Sequence, residues 1–152
     1  LVSSRGLGDV YKRQIHINQA LVNTANLYQQ KGINFIAISS NDIEKYPQDS
    51  PEKMKLHALD TGYSFPYMYD ETQEVAKAYD AACTPDFYLF DSNLKLVYRG
   101  QMDASRPENG LKNDASDLIH AMECLIKKTP NEAVQKPSIG CNIKWKPTNL
   151  PS

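Results

Sequence analysis

The chain has 152 residues, with 17 basic and 18 acidic side chains and a net charge of −1. This length suits a single domain. The balance of charge excludes the strong field of one sign that is typical of proteins that bind nucleic acid or acidic lipid. No apolar run approaches the ~18 residues of a membrane-spanning helix, so we expect no membrane span.

The three cysteines are far apart in the sequence, at Cys83, Cys124 and Cys141, and the three histidines are scattered. This spacing predicts neither a zinc site nor a framework of disulfides. We therefore expect no metal site. Sparse, odd-numbered cysteines fit a cytoplasmic or redox-active protein better than a disulfide-bonded secreted one.

The first orderly segment is a helix that begins at Ile15. Residues 1–14 show no helical or strand period and no capping signal, whereas apolar residues then recur at helical spacing, at Ile17, Leu21, Ala25 and Tyr28. Lys31 and Gly32 predict the end of this helix. The β-branched run that follows, Ile33–Ser39, predicts a buried strand.

The middle of the chain predicts two helices and an edge strand. Ser50 followed by Pro51 is a strong helix start, and that helix should end near Gly62. Asp70 with Gln73 resembles a capping box for a helix from Glu71 to Tyr79. Between them, aromatic residues alternate as in a half-buried edge strand, at Tyr63, Phe65, Tyr67 and Tyr69.

The last elements are an antiparallel hairpin and a helix. The segments 86–90 and 95–99 flank a turn at Asp91-Ser92-Asn93. An amphipathic helix should then cover Ser116–Lys128, and a proline-rich tail from Thr129 should be extended. This order of elements indicates an α/β class, a sheet flanked by helices.

Four strings together resemble the thioredoxin superfamily, and more closely the redoxin proteins of the alkyl hydroperoxide reductase and thiol-specific antioxidant type. The strings are His16-Ile17-Asn18, the run Phe35–Asp42, the run Ala78–Asp91 containing Cys83-Thr84-Pro85, and the tail Lys136–Trp145 with Gly140-Cys141-Asn142. The resemblance extends from Ile15 to about Lys146.

The resemblance implies a thioredoxin-like fold with a mixed central sheet between helices. It also implies a cis bond before Pro85, whereas X–Pro bonds in general are cis in only ~5–6% of cases. Pro85 would present its backbone to a thiol or disulfide partner, and Thr84 would line the same groove. His16 would lie at this groove, a few residues after the catalytic pair, or else be a solvated residue of the first helical turn.

The catalytic pair of this family, a Cys-x-x-Cys-Pro pattern, belongs just before His16. Counting back places its cysteines on Gly8 and Tyr11 and its proline on Lys12, so the pair is missing. The strand that precedes the pair in the family is missing as well. Either the chain is a natural redox-inactive member, or residues 1–14, which resemble translated adapter sequence, are foreign and joined to a truncated frame. We expect a domain at 15–129 and an extended tail at 130–152.

The resemblance implies a thiol–disulfide oxidoreductase or a peroxiredoxin-like antioxidant protein, with a dithiol or disulfide protein or a peroxide as partner. It implies no metal and no organic cofactor. The alternatives are a redox-inactive binding module and a one-cysteine peroxidase that uses Cys83. Cys83 could form a mixed disulfide or act as a resolving thiol, or simply pack behind the loop. Cys141 could also act as a resolving thiol, whereas Cys124 should be a core thiol.

Overall fold

The computed structural model describes residues 9–106 and 109–150, with side chains described from Ile17 onward. The four α-helices of this part are α1 Asp9–Gln30, α2 Pro51–Thr61, α3 Glu74–Ala78 and α4 Ser116–Lys127. Its six strands are β1 Ala37–Ser39, β2 Tyr67–Tyr69, β3 Cys83–Thr84, β4 Phe87–Phe90, β5 Leu96–Gly100 and β6 Cys141–Asn142.

Helix α1 ends as predicted but begins earlier than predicted. It starts at Asp9 rather than Ile15, so the expectation that residues before Ile15 are not helical is wrong for this segment. Extending a helix by one residue adds a backbone hydrogen bond without a new nucleation step, and Lys, Arg and Gln tolerate the helix well. At the other end, Gly32 is left-handed with φ of 89°. The Gly32 N–H donates to the Gln29 carbonyl and the Ile33 N–H to the Tyr28 carbonyl.

Three of the predicted elements are confirmed with their local signals. Ser50 caps α2 by accepting a hydrogen bond from the Lys53 N–H, and left-handed Gly62 ends it. The hairpin forms from β4 and β5, and its turn is held by Asp91, whose carboxylate accepts two backbone N–H groups. Helix α4 packs its apolar face into the core through Leu118, Ala121 and Met122.

The predicted capping box of α3 is wrong. The helix is only Glu74–Ala78, and the Gln73 side chain makes no capping bond to it. Asp70 instead accepts the N–H groups of Val75 and Ala76. The Gln73 carboxamide is completely buried and bonds to the C-terminal tail, which lies too far away in sequence for a local pattern to reveal.

The α/β class is as predicted, but the strands form three separate pairs rather than one central sheet. Strand β1 pairs in parallel with β2, whereas β3 pairs antiparallel with β6 and β4 antiparallel with β5. The predicted strand Ile33–Ser39 is shortened to three residues because only Ala37 to Ser39 lie opposite strand partners, Tyr67 to Tyr69. The predicted edge strand is shortened in the same way.

A wide apolar groove separates the β1–β2 pair from the β4–β5 pair. Its volume is about 1310 Å³, and its lining includes Ile36, Ile38, Met68, Leu89 and Leu125. Ile36 is 58% exposed there. Within the described residues, β1 pairs only with β2 and β4 only with β5.

We expect the chain as written to be aggregation-prone or partly unfolded because, among the described residues, β1 and β4 each pair with one strand only. Each buried backbone group that lacks a partner costs about 1–3 kcal/mol, against a net stability of about 5–15 kcal/mol for a domain. Thermal unfolding followed by near-ultraviolet circular dichroism should show a broad, shallow transition. A sharp cooperative transition would contradict this expectation.

An ion pair and a hydrogen bond join α1 to α4 at one edge of the core. Glu123 accepts from the Lys31 ammonium and from the Tyr28 hydroxyl, both at 2.7 Å. These two bonds, Lys31 first, lower the pKa of Glu123 from 4.5 to about 2.

The lowered pKa of Glu123 makes this contact sensitive to acid. A depressed carboxyl pKa contributes stability that is complete above 4.5 and is lost as the pH falls from 4.5 toward 2. In the unsubstituted chain the free energy of unfolding should therefore fall between pH 6 and pH 3. In Glu123→Gln it should fall by less, as measured by urea titration at each pH. Glu132→Gln, an exposed substitution beyond α4, is the matched control and should leave that loss unchanged.

Candidate active site

The candidate site is built around the turn that joins β3 to β4. Cys83 and Thr84 form β3, the Thr84–Pro85 peptide bond is cis, and β4 begins at Phe87. Cys83, Thr84 and Pro85 are half-buried. The turn therefore places a thiol and a proline side by side at the end of a strand that is itself very short.

Helix α1 reaches this turn through its N-terminal half. Ile17 and Pro85 line the same small cavity, of about 30 Å³, together with residues of the segment after β5 and of the tail, among them Met102, Arg106, Ser138 and Ile139. That volume is large enough to hold a water molecule. His16, the predicted groove residue, has a side chain that lies outside the described residues, so its role stays a prediction.

The C-terminal tail covers the other side of the turn. In the β3–β6 pair, Cys83 lies opposite Asn142 and Thr84 opposite Cys141. The Thr84 hydroxyl donates to the Cys141 carbonyl at 3.3 Å. Gly140 lies so close that a Cβ atom there would be 1.9 Å from the Thr84 carbonyl oxygen. The tail is therefore part of the site.

Cys83 is a protonated thiol in this arrangement. Its Sγ donates to the Ser138 carbonyl at 3.3 Å. Burial and, after it, the negative charge of Asp86 raise the pKa of the Cys83 thiol. Since the thiolate is the nucleophile in thiol chemistry, these surroundings do not activate Cys83.

The other two cysteines do not join Cys83 in a pair. Cys141 lies on the neighbouring strand, but successive residues of a strand point to opposite faces, and its register directs it away from Cys83. All three cysteines are free and half-buried. Cys124, predicted as a core thiol, borders the apolar groove and contacts the His120 ring at 3.6 Å.

Comparison with known proteins agrees with this architecture. The profile of the Redoxin family matches residues 13–115. The chain belongs to the Redoxin family. The fold is also that of a solved uncharacterized protein from Geobacillus kaustophilus, with 58% identity and a TM-score of 0.87 over 90% of this chain and 72% of that one. A hypothetical protein of Sinorhizobium meliloti 1021 has 41% identity and a TM-score of 0.90, over 96% of this chain and 77% of that one.

The resemblance read from the sequence is thus confirmed for the family and for the α/β thioredoxin-like fold. A search of curated proteins found no match to this chain. Within the described residues, no helix has the length and apolar character that crossing a bilayer requires. In the same part of the redoxin chain, His, Cys, Asp and Glu side chains form no group of three that could hold a metal ion.

The structure adds a charged cluster beneath the turn that sequence reasoning missed. Asp86 is 4% exposed and accepts from the Arg99 guanidinium at 3.4 Å and from the Tyr88 hydroxyl at 2.8 Å. Arg99 also donates to the Asp80 carbonyl at 2.6 Å. Arg99 is distant from Asp86 in sequence, and the pairing of β5 with β4, in which Arg99 lies opposite Tyr88, brings it to Asp86 just before β4.

The polar segment after β5, residues 101–106, forms part of the cavity wall. The Asp103 carboxylate is buried and accepts the N–H groups of Ser105, Asp114 and Ala115. Arg106 donates to the Asp103 and Ser105 carbonyls and to the Gln101 side chain. The carboxylate thereby fixes the segment that brings Arg106 to the cavity.

The raised pKa of Cys83 predicts slow alkylation at neutral pH. The rate of reaction with iodoacetamide at Cys83, followed by peptide mass mapping, should keep rising as the pH passes 9, its ordinary pKa. Asp86→Asn removes the neighbouring negative charge and should shift the profile to lower pH. A Cys83 that is already fully reactive at pH 7 would contradict the assignment of a protonated thiol.

Proposed function

We propose that this redoxin chain is the domain of a thiol-dependent oxidoreductase that acts on a disulfide or a peroxide beside the Thr84–Pro85 turn. The observation that carries the proposal is the cavity shared by Ile17 of α1 and Pro85. In that arrangement the N-terminal half of α1 lies next to the Thr84–Pro85 turn. Thr84, Pro85 and His16 are the proposed groove residues.

The proposed reaction begins with a thiolate in the first turn of α1. N–H groups and the helix dipole at that end favour the anion and lower a thiol pKa. The thiolate attacks one sulfur of a disulfide, forms a mixed disulfide and expels the other sulfur as a thiolate. With a peroxide it takes one oxygen, becoming a sulfenate and releasing water or an alcohol. A second thiol then closes an intramolecular disulfide, expelling the substrate thiol or water, and a dithiol protein reduces it.

The attacking pair is not supplied by the cysteines of this sequence. No cysteine precedes Cys83, and the family pattern falls on Gly8 and Tyr11. The raised pKa of Cys83 does not favour a one-cysteine peroxidase. Three further predictions stand beside the main proposal. They are a resolving role for Cys83 or Cys141, a partner-binding module without redox activity, and a cytoplasmic location.

Restoring the pair tests the proposal directly. The variant Gly8→Cys, Tyr11→Cys, Lys12→Pro should accelerate the reduction of insulin disulfides by dithiothreitol. We expect an increase of roughly tenfold over the unsubstituted chain, with which the unactivated thiol of dithiothreitol does the reduction. A thiol whose pKa falls from about 8.5 to about 7 has roughly ten times more thiolate at neutral pH.

The single variant Gly8→Cys is the matched control, because it can form a mixed disulfide but has no second thiol to resolve it. The triple variant must show the same far-ultraviolet circular dichroism as the parent chain. A folded triple variant that is no faster than the single variant would overturn the proposal.

A further inference from the structure

The edge of β3 is already occupied by the chain's own tail. Antiparallel pairing with Cys141 and Asn142 is continued by the Ile143 N–H, which donates to the Ala82 carbonyl at 3.2 Å. The tail segment Pro137–Asn142, called the strap below, therefore lies where an extended polypeptide could otherwise add to this edge by backbone hydrogen bonds.

The strap also closes over the thiol and the proline. The Ser138 carbonyl accepts from the Cys83 thiol. A Cβ atom on Gly140 would be 2.7 Å from the Thr84 carbonyl carbon and 3.4 Å from the Pro85 nitrogen. Only glycine permits this approach, because a real Cβ atom would require the strap or the turn to move.

Both ends of the strap are held by elements distant in sequence. Before it, the Lys136 carbonyl accepts the Gln101 N–H at 3.0 Å, and the Gln135 side chain accepts the Arg99 N–H at 3.0 Å. After it, Ile143 is 4% exposed in a small apolar cluster with Ala76 and Ala81.

Beyond Ile143 the hold continues through polar bonds. The Lys144 carbonyl accepts from the Asp42 N–H at 2.8 Å and from the Gln73 side chain at 3.0 Å. The Lys144 N–H donates to the Asn41 side chain at 2.9 Å. A segment fixed at two ends loses little further entropy when its middle pairs with β3, so its covered position is favoured over an open one.

We propose that the strap restricts the Thr84–Pro85 site to small oxidants, such as hydrogen peroxide and small disulfides, and excludes extended protein segments until it is displaced. This inference rests on the proposed function and adds its substrate class. An extended protein partner would have to break the bonds of the strap to reach β3, whereas a small molecule needs only a gap beside it. Displacement of the strap then becomes the step that admits a protein disulfide.

The test uses Cys83 as a reporter of access and requires no catalytic activity. One probe is methyl methanethiosulfonate; the other is a cysteine-containing decapeptide activated as its 2-nitro-5-thiobenzoate mixed disulfide. The two rates at Cys83 are measured by peptide mass mapping and expressed relative to the rates at Cys124 in the same molecule. Because both probes need the same thiolate, the ratio of their rates reports access rather than pKa.

We expect the decapeptide to be disfavoured at Cys83 by roughly tenfold or more relative to the small probe, since its reaction requires local opening of the strap. Gly140→Ala should bring the two probes close to equality by pushing the strap away from Thr84. Val134→Ala, an exposed tail substitution outside the strap, should leave the preference unchanged. Equal access of both probes in the parent chain would overturn the proposal.

Hydrogen exchange of the unsubstituted chain gives a second measurement in case Gly140→Ala does not fold. The amides of Ile143 and Gln101, whose hydrogen bonds hold the two ends of the strap, should exchange more slowly than the amide of exposed Val134. Exchange at the same rate for all three would show that the strap is not held, and would also overturn the proposal. Neither measurement depends on the insulin assay, so the two proposals can fail separately.

Discussion

The arrangement of the site depends on one buried carboxamide, that of Gln73. It uses its full hydrogen-bonding capacity. Its nitrogen donates to the Ser40 and Lys144 carbonyls at 2.7 and 3.0 Å, and its oxygen accepts from the Lys146 N–H and the Asn149 side chain, both at 3.0 Å. Since a buried amide with a missing partner is costly, these bonds fix the course of the tail after β6.

The course of the tail in turn determines what surrounds the thiol. Once Lys144 is tied to Gln73, the preceding residues Cys141 and Asn142 are in register with β3. This pairing brings the Ser138 carbonyl to the Cys83 thiol. The site is therefore assembled from segments of distant sequence that no single secondary-structure element contains.

The electrostatic surroundings of Cys83 on β3 differ from those at the start of α1. Beneath the turn, Asp86 is buried against Arg99, and its charge contributes to keeping the nearby Cys83 protonated. The start of a helix has the opposite character, because its free N–H groups stabilise an anion. The surroundings of Cys83 therefore keep it unreactive, and the proposed function accordingly places the nucleophile at the start of α1.

The sequence by itself determined the elements whose signals are local. Ser50 and Pro51 set the start of α2, Gly62 its end, and Asp91 the turn of the hairpin. These features depend on backbone geometry and capping within a few residues. The four strings that resemble redoxin proteins, one of them around Thr84 and Pro85, together indicated the family, which the Redoxin match confirms.

Tertiary structure alone decided the rest. Strand β1 is shorter than its apolar run because a strand extends only as far as it has partners, and Ile36 has none among the described strands. Gln73 reads as a cap in sequence but bonds to a tail about seventy residues away. The state of Cys83 likewise depends on Asp86, Ser138 and burial, because desolvation and hydrogen bonding are properties of the assembled fold rather than of neighbouring residues.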